Sequence, residues 1–167
     1  PIMLERSLWE TSGHWDFYRD SMYSLKVEED DYAIKPMSCP GGMLVYKLEP
    51  RSYKELPMRM GELGLVHRNE KSGTLHGLMR VRSFTQDDAH IIMREDQIED
   101  EVVRLIKFKE RFYAVFNLDF TIELSTRPEE KYIGDIEIWN KSEAALAAAC
   151  KAAGKDYKIN PGDGAFY

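Results

Sequence analysis

Two extended segments separated by a loop constrain the fold more than any other feature of this sequence. LPMRMGELGLVHRNE (56–70) and VRSFTQDDAHIIM (81–93) are typical of extended chain. KSGTLHGLM (71–79) lies between them, rich in turn formers and too long for a tight hairpin. The sequence therefore predicts two adjacent strands. Alternate residues of a strand share a face, which here collects Phe84, Gln86, Asp88 and His90.

This shared face has an unusual composition. A solvated sheet face with cross-strand ion pairs would account for the neighbouring Arg and Glu residues. It accounts poorly for a phenylalanine and a histidine in register with an amide and a carboxylate. An aromatic ring beside arginines suits a nucleotide, because the ring stacks on a base and guanidinium groups pair with phosphate oxygens. Arg68 and Glu70 are predicted to share a face of the partner strand.

The remaining pattern predicts an α+β fold with a largely antiparallel sheet, because strands joined by loops alternate with long helices. The predicted helices are 2–10, 14–19, 43–49, 95–117 and 141–154, the last ended by Gly154. The predicted strands are 22–27, 32–35 and 120–125, with 126–139 irregular. Cys39 is placed just ahead of the helix at 43–49, in the punctuated turn KPMSCPGG (35–42).

Composition narrows the class of protein. A chain of 167 residues is about one domain long, and 43% hydrophobic residues exclude global disorder. The net charge of −6 argues against a nucleic-acid-binding surface on this chain. No membrane span or signal peptide is visible, and two cysteines are too few for a disulfide scaffold, so we expect a cytoplasmic protein. The termini indicate a piece of something longer.

The motifs resemble those of a known family. HRNE…LMRVRSF is similar to motif 2 of class II aminoacyl-tRNA synthetases. KPMSCPGG, FTQDDAHI, LSTRPE and GAFY extend the similarity to the catalytic domain of the threonyl-tRNA synthetase family, nearly end to end. The resemblance implies an antiparallel sheet flanked by helices, over 1–167, with the end of motif 1 at Pro1, motif 2 present and motif 3 absent. It implies ATP-dependent activation of L-threonine, transfer to tRNA(Thr), Mg²⁺ with ATP, and a homodimer at full length.

The resemblance also implies one zinc ion, with Cys39 and His90 as ligands and a third, histidine ligand outside this chain. Thiolate and imidazole suit Zn²⁺, and three protein ligands leave an open position. That position takes threonine through its amino and hydroxyl groups and rejects valine, which lacks the hydroxyl. Taken alone, Cys39 would be a small buried hydrophobe and His90 a satisfied strand histidine. Gly42 departs from the family pattern, where a histidine is common.

The resemblance assigns further residues to ATP. Arg68 contacts the α-phosphate and the amino-acid carboxylate, and Glu70 meets the adenine amino group. Arg80 reaches the γ-phosphate, and Phe84 stacks on adenine. These roles need positioning and charge neutralisation more than a covalent nucleophile.

The threonine pocket and the transfer step receive the other assignments. Gln86 lies near the reacting carboxylate, Asp88 accepts from the threonine hydroxyl, and Met37 and Tyr167 line the pocket. His14 is assigned to take the proton of the attacking tRNA ribose hydroxyl; alternatively it is an exposed residue at a helix N-terminus. A synthetase-like module that senses threonine or ATP without catalysis, and a structural zinc domain needing four ligands, remain alternatives.

Overall fold

The computed structural model describes residues 1–167 as two compact units, Pro1–Ile92 and Met93–Tyr167. The strands are β1 (Met3–Glu5), β2 (Tyr23–Val27), β3 (Asp30–Ile34), β4 (Met58–His67), β5 (Ser83–Ile92), β6 (Glu123–Ser125) and β7 (Lys158–Asn160). The helices are α1 (Arg6–Thr11), α2 (His14–Phe17), α3 (Cys39–Lys47), α4 (Ile98–Val115) and α5 (Ile136–Ala152). The predicted α+β class is confirmed. The single partial catalytic domain expected over 1–167 stays a prediction.

A three-stranded antiparallel sheet, ordered β1-β3-β2, begins the first unit. Ala33 lies at its centre, opposite Leu4 on one side and Ser24 on the other, and is fully buried. Trp9 and Trp15 join Ala33 and Met22 in the core of this unit. Large aromatic side chains bury the most apolar area per residue, so these two tryptophans dominate the packing here.

The second sheet of this unit is the pair β4–β5, as the two extended segments predict. Its antiparallel register runs without a break from Met58 opposite Ile92 to His67 opposite Ser83. Side chains of even number share one face. Along β5 that face is half-buried, whereas Ser83, Thr85, Asp87 and Ala89 on the other face are exposed. The predicted alternation is confirmed.

Residues 35–38 lie against one end of β4. The backbone N–H of His67 donates to the carbonyl of Lys35 at 2.9 Å, and the Arg68 Nε–H donates to the carbonyl of Pro36 at 3.3 Å. Ser38 is buried, and its hydroxyl packs on Gly64 so closely that a Cβ at position 64 would overlap the Ser38 oxygen. A glycine in β4 therefore makes room for the turn that leads into α3.

The second unit contains two packed helices, α4 and α5, and a parallel pair of short strands, β6 and β7. Cys150 is buried on α5, as predicted for a core position. The helix ends at Ala152, and Gly154 follows two residues later with a φ of +66°, which glycine readily adopts. Helix α5 begins at Ile136, so the prediction of irregular chain to residue 139 is wrong for its last part.

Two other local predictions are wrong for reasons that lie in tertiary structure. Residues Met3–Glu5 form strand β1 rather than helix, because they pair with β3. Helix α3 begins at Cys39 itself rather than after it, with Pro40 in its first turn. Proline is well tolerated there, since its fixed φ is helical and its missing N–H would have had no partner inside the helix. None of the helices combines the length and the apolar composition that a membrane-spanning helix needs.

His14 generates a prediction about pH and stability. Its ring is 2% exposed, and burial lowers the pKa of the imidazole, partly offset by a hydrogen bond to the backbone of Ser12. Below about pH 6.5 the histidine of the unfolded chain is protonated, whereas that of the folded chain is still neutral. Protonation therefore favours the unfolded state, and the free energy of unfolding falls as the pH falls. The fall ends once pH passes below the folded pKa.

We expect His14→Gln to flatten this part of the stability profile, measured by urea unfolding between pH 7 and pH 5. The matched control is His76→Gln, since His76 is exposed in the loop between β4 and β5. An identical profile for His14→Gln and the parent protein would contradict the buried, uncharged histidine.

Gly64→Ala tests the packing of Ser38 on β4. The new methyl group would overlap the Ser38 hydroxyl oxygen, so unfolding free energy should fall by about 1–3 kcal/mol, the usual range for overpacking. Gly61→Ala is the matched control on the same strand, because its Cβ would meet the Asp88 carbonyl oxygen at 3.7 Å, an ordinary contact. Equal denaturant midpoints for both variants would show that Ser38 moves aside without cost.

Candidate active site on the β4–β5 sheet

The even-numbered residues of β4 and β5 share one face of the sheet, where polar and apolar side chains are mixed. Gln86 lies opposite Gly64, Asp88 opposite Glu62, and His90 opposite Met60. Directly opposed residues of an antiparallel pair point to the same side of the sheet. Four predicted site residues therefore lie in a row, namely Phe84, Gln86, Asp88 and His90.

Arg68 is held beside Phe84 at the end of this row. The guanidinium carbon lies 5.1 Å from the centre of the Phe84 ring, within the range of a cation–π contact. The Arg68 backbone N–H donates to the carbonyl of Arg82 at 2.9 Å, continuing the sheet pairing past its last strand residue, His67. Arg68 and Glu70 were predicted on the strand itself, and this is wrong, since both follow the end of β4.

Glu70 and Arg80 face each other across the loop. Two guanidinium nitrogens of Arg80 lie 3.0 and 3.1 Å from the same carboxylate oxygen of Glu70. Glu70 is the more buried partner, with 17% of its side chain exposed against 58% for Arg80. Because more than half of the Arg80 side chain is exposed, its guanidinium group remains accessible to another anion.

One cavity brings together all four residues that the sequence assigned to ATP. Its volume is about 450 Å³, and its lining includes Arg68, Glu70, Arg80 and Phe84. An aromatic ring, two guanidinium groups and a carboxylate supply a stacking surface, phosphate partners and an acceptor for an exocyclic amine. The cavity therefore has the chemistry that a purine nucleotide needs.

Arg82 is bonded to Glu70 at the edge of this cavity, although the sequence assigned it no role. Its Nε–H donates to the carbonyl of Glu70, and a terminal nitrogen donates to the Ser72 hydroxyl, both at 3.0 Å. These bonds tie the start of the loop to the start of β5. The spacing Arg-x-Arg before Phe84 is the signal that could have suggested two arginines with different tasks.

The first turn of helix α3, which begins at Cys39, lies against His90. Cys39 and Gly42 are three residues apart, so they lie on the same side of the helix. A Cβ at Gly42 would lie 3.6 Å from the Nδ1 atom of His90. The first turn of α3 therefore lies against the histidine that the sequence paired with Cys39.

Cys39 and His90 supply two of the donor types that a zinc site uses. Thiolate and imidazole are the ligands that zinc favours, and the small Gly42 leaves space beside the imidazole. No group of three or more histidine, cysteine, aspartate or glutamate side chains in this chain has the geometry to hold a metal ion. By donor type Cys39 and His90 suit two ligands of a zinc site, and the zinc ion itself stays a prediction.

His14 and Met37 lie in contact. The Nε2 atom of His14 is 3.5 Å from the Met37 sulfur, and Nδ1 is 2.9 Å from the Ser12 hydroxyl oxygen. The Trp9 ring meets the imidazole edge-on at 5.7 Å between centroids. The alternative of an exposed histidine at a helix N-terminus is therefore wrong, although His14 does begin α2.

Tyr167, also assigned to the amino-acid pocket, belongs to the second unit. Its ring packs edge-on against Phe166, with 4.7 Å between centroids. Its role in a threonine pocket stays a prediction.

Lys35 is a buried cation that was not predicted from the sequence. Lys35 has 11% of its side chain exposed, and its ammonium nitrogen lies 3.6 Å from a carboxylate oxygen of Glu62. Nothing local in the sequence marks Lys35, because the pairing depends on residues 35–38 lying against β4.

Comparison with known proteins identifies the family. The family model described as "tRNA synthetase class II core domain (G, H, P, S and T)" matches residues 23–158. A threonine--tRNA ligase of Syntrophomonas wolfei is 59% identical over 167 residues, which are 100% of this chain and 26% of that protein. The chain thus spans about a quarter of the length of this relative.

Solved structures agree. A crystal structure of the RNA binding domain of threonyl-tRNA synthetase from Cryptosporidium parvum matches with a TM-score of 0.88 and 44% identity, covering 100% of this chain and 42% of that one. A putative threonyl-tRNA synthetase from Aeropyrum pernix matches with a TM-score of 0.78 and 34% identity, covering 100% and 40%. The resemblance expected from the sequence is confirmed. The chain belongs to the class II tRNA synthetase core-domain family.

Proposed function

We propose that this chain is part of the catalytic core of a threonine--tRNA ligase, which activates threonine with ATP and transfers it to tRNA(Thr). The observation that carries the proposal is the single cavity lined by Arg68, Glu70, Arg80 and Phe84. The identity of 59% to a threonine--tRNA ligase supports the choice of amino acid. Because the chain spans 26% of that relative, the proposal concerns the intact protein.

The cavity suits adenylate formation. The threonine carboxylate attacks the α-phosphorus of ATP, the bond to the β-phosphate breaks, and pyrophosphate leaves. Phe84 stacks on adenine, and Glu70 accepts from its exocyclic amine. Arg68, fixed by its bond to the Pro36 carbonyl, neutralises charge that develops at the α-phosphate. Mg²⁺ accompanies ATP.

Arg80 has to exchange partners in this scheme. In the structure it is paired with Glu70, the residue that is to accept from adenine. A bound nucleotide offers Glu70 an amine and Arg80 a γ-phosphate, so both members of the ion pair gain a new partner. ATP therefore replaces an exposed ion pair with two contacts to the ligand.

The threonine pocket lies on the same sheet in this proposal. Asp88 accepts from the threonine hydroxyl, and Gln86 lies beside the reacting carboxylate. Cys39 and His90 would hold a zinc ion, completed by a further ligand. When bound, the zinc would supply a Lewis-acid position for the amino and hydroxyl groups of threonine. Met37 lines the threonine pocket in this proposal, and the assignment of Tyr167 rests on the family resemblance alone.

His14 serves the transfer step. Burial lowers the pKa of its imidazole, which keeps the ring uncharged near neutral pH and able to accept a proton. The proton comes from the ribose hydroxyl of tRNA(Thr) as that oxygen attacks the threonyl-adenylate. The intact enzyme acts as a homodimer in the cytoplasm in this proposal.

Pyrophosphate exchange tests the proposed function. The intact protein should exchange pyrophosphate into ATP only when threonine is present. Phe84→Leu should raise the KM for ATP about three- to tenfold, because loss of aromatic stacking costs about 0.5–1.5 kcal/mol. The KM for threonine should change little.

Tyr53→Leu is the matched control, since Tyr53 is 65% exposed and outside the cavity. Binding of threonine and ATP without any exchange would contradict the ligase and favour a sensing module. An unchanged KM for ATP in Phe84→Leu would show that this ring only packs.

Asp88→Asn tests the threonine pocket. The amide is a neutral and weaker acceptor than the carboxylate. The transition state of threonine activation should therefore lose about 1.5–3 kcal/mol of stabilisation, the range for a hydrogen bond to a charged group. The activation of serine, which shares the hydroxyl, should fall in parallel. The activation of valine, which lacks the hydroxyl, should stay near its low background rate. Exchange is measured with all three amino acids on a variant shown to be folded. An equal loss for all three would contradict the assignment.

A further inference from the structure

Both backbone polar groups of Lys35 are hydrogen-bonded. Its backbone N–H donates to the Ile2 carbonyl at 2.8 Å, and its own carbonyl accepts from the His67 N–H at 2.9 Å. The first bond reaches the chain just before β1, and the second reaches the end of β4. The side chain therefore starts from a rigid point between two sheets of the first unit.

From that point the side chain reaches Glu62. The Lys35 ammonium nitrogen lies 3.6 Å from the Glu62 carboxylate, with 11% of the lysine side chain exposed and 40% of the glutamate. Burying a lysine tail this deeply carries a desolvation cost, which an opposite charge offsets. Glu62, on the even-numbered face of β4, supplies that opposite charge.

Glu62 lies directly opposite Asp88 in the strand pairing. Opposed side chains on one face have Cβ atoms about 4.5–5.5 Å apart, and like charges in such a pair repel. The Glu62 carboxylate is turned along β4, with one oxygen 3.5 Å from the point where a Cβ of Gly64 would lie. Gly64 is opposite Gln86, so the carboxylate leans away from the position directly facing Asp88.

Ser38 borders the same space. It is 2% exposed, its hydroxyl packs over Gly64, and the oxygen has no hydrogen-bond partner in the structure. A buried hydroxyl left unpaired is costly. The surface over Gly64 is therefore lined by an ammonium, a carboxylate and an unpaired hydroxyl, next to the residues assigned to threonine.

We propose that Lys35 is a positioning residue for amino-acid selection at this site. Its ammonium draws the Glu62 carboxylate along β4 and neutralises it, so that Asp88 keeps its orientation beside a second carboxylate. Lys35 touches no substrate in this role and acts through Glu62 on Asp88. This role of Lys35 rests on the proposed function, since only that function assigns Asp88 to the threonine hydroxyl.

The test is a set of variants of the intact protein. Lys35→Met removes the charge and keeps an unbranched apolar tail. Glu62 and Asp88 then repel each other, and the KM for threonine should rise about three- to tenfold, the size of coupling found between contacting residues. The KM for ATP should stay unchanged, discrimination against valine should narrow, and Lys35→Arg should behave like the parent protein.

Two double variants separate positioning from simple packing. The double variant Lys35→Met with Glu62→Gln removes the repulsion between positions 62 and 88. Its KM for threonine should return most of the way to the value of the parent protein. In the Asp88→Asn background, Lys35→Met should cause no further rise in KM, because the charge it protects is gone. Lys26→Met, at an exposed position of β2, is the control for loss of a lysine.

Thermal unfolding distinguishes failure of this inference from failure of the proposed function. If the parent protein shows no threonine-dependent exchange, the ligase proposal fails. The unfolding midpoints remain informative, since Lys35→Met should lower the midpoint and Asp88→Asn should recover part of the loss. The role of Lys35 would be overturned if Lys35→Met raised the KM for ATP and the KM for threonine equally. It would also be overturned if Lys35→Met had its full effect in the Asp88→Asn background and the unfolding midpoint did not recover.

Discussion

The packing of residues 35–38 against β4 is the constraint on which the rest of the site depends. The bond from the His67 N–H to the Lys35 carbonyl fixes where this segment meets the strand. The lack of a side chain at Gly64 lets Ser38 approach the strand backbone. From that contact follow the start of α3 at Cys39 and the position of its first turn beside His90. One glycine in a strand thus sets the distance between a helix and a sheet.

Charge on this sheet is arranged in two separate pairs. Arg80 pairs with Glu70 at the open end, where both partners can be given up to a ligand. Lys35 pairs with Glu62 at 3.6 Å, and there the lysine is the more covered partner, with 11% of its side chain exposed against 40% for the glutamate. Each pair therefore has one covered and one exposed member. In the first pair the covered group is a carboxylate, and in the second it is an ammonium, whose burial needs an opposite charge nearby.

Sequence reasoning succeeded where local pattern and tertiary role agree. The β4–β5 pairing, the alternation from Phe84 to His90 and the α+β class were all predictable. It failed for Met3–Glu5, whose helical composition gives way to pairing with β3. The exposed alternative for His14 failed for a similar reason, since neighbouring aromatic rings bury it. Propensity is a weak prior that tertiary contacts override.

By itself the sequence determined the chemistry available to this protein, because side-chain types and strand periodicity are local properties. A phenylalanine, arginines and carboxylates at these spacings already indicated a nucleotide site, whereas a metal at Cys39 and His90 was implied only by the family resemblance and stays a prediction. Only the tertiary structure decided which charges meet. The Glu70–Arg80 pair joins residues 10 apart across a loop, and Lys35 reaches Glu62 from another segment of the chain. Such pairings depend on strand register and on close backbone approach at Gly64, which arise only when distant segments pack together.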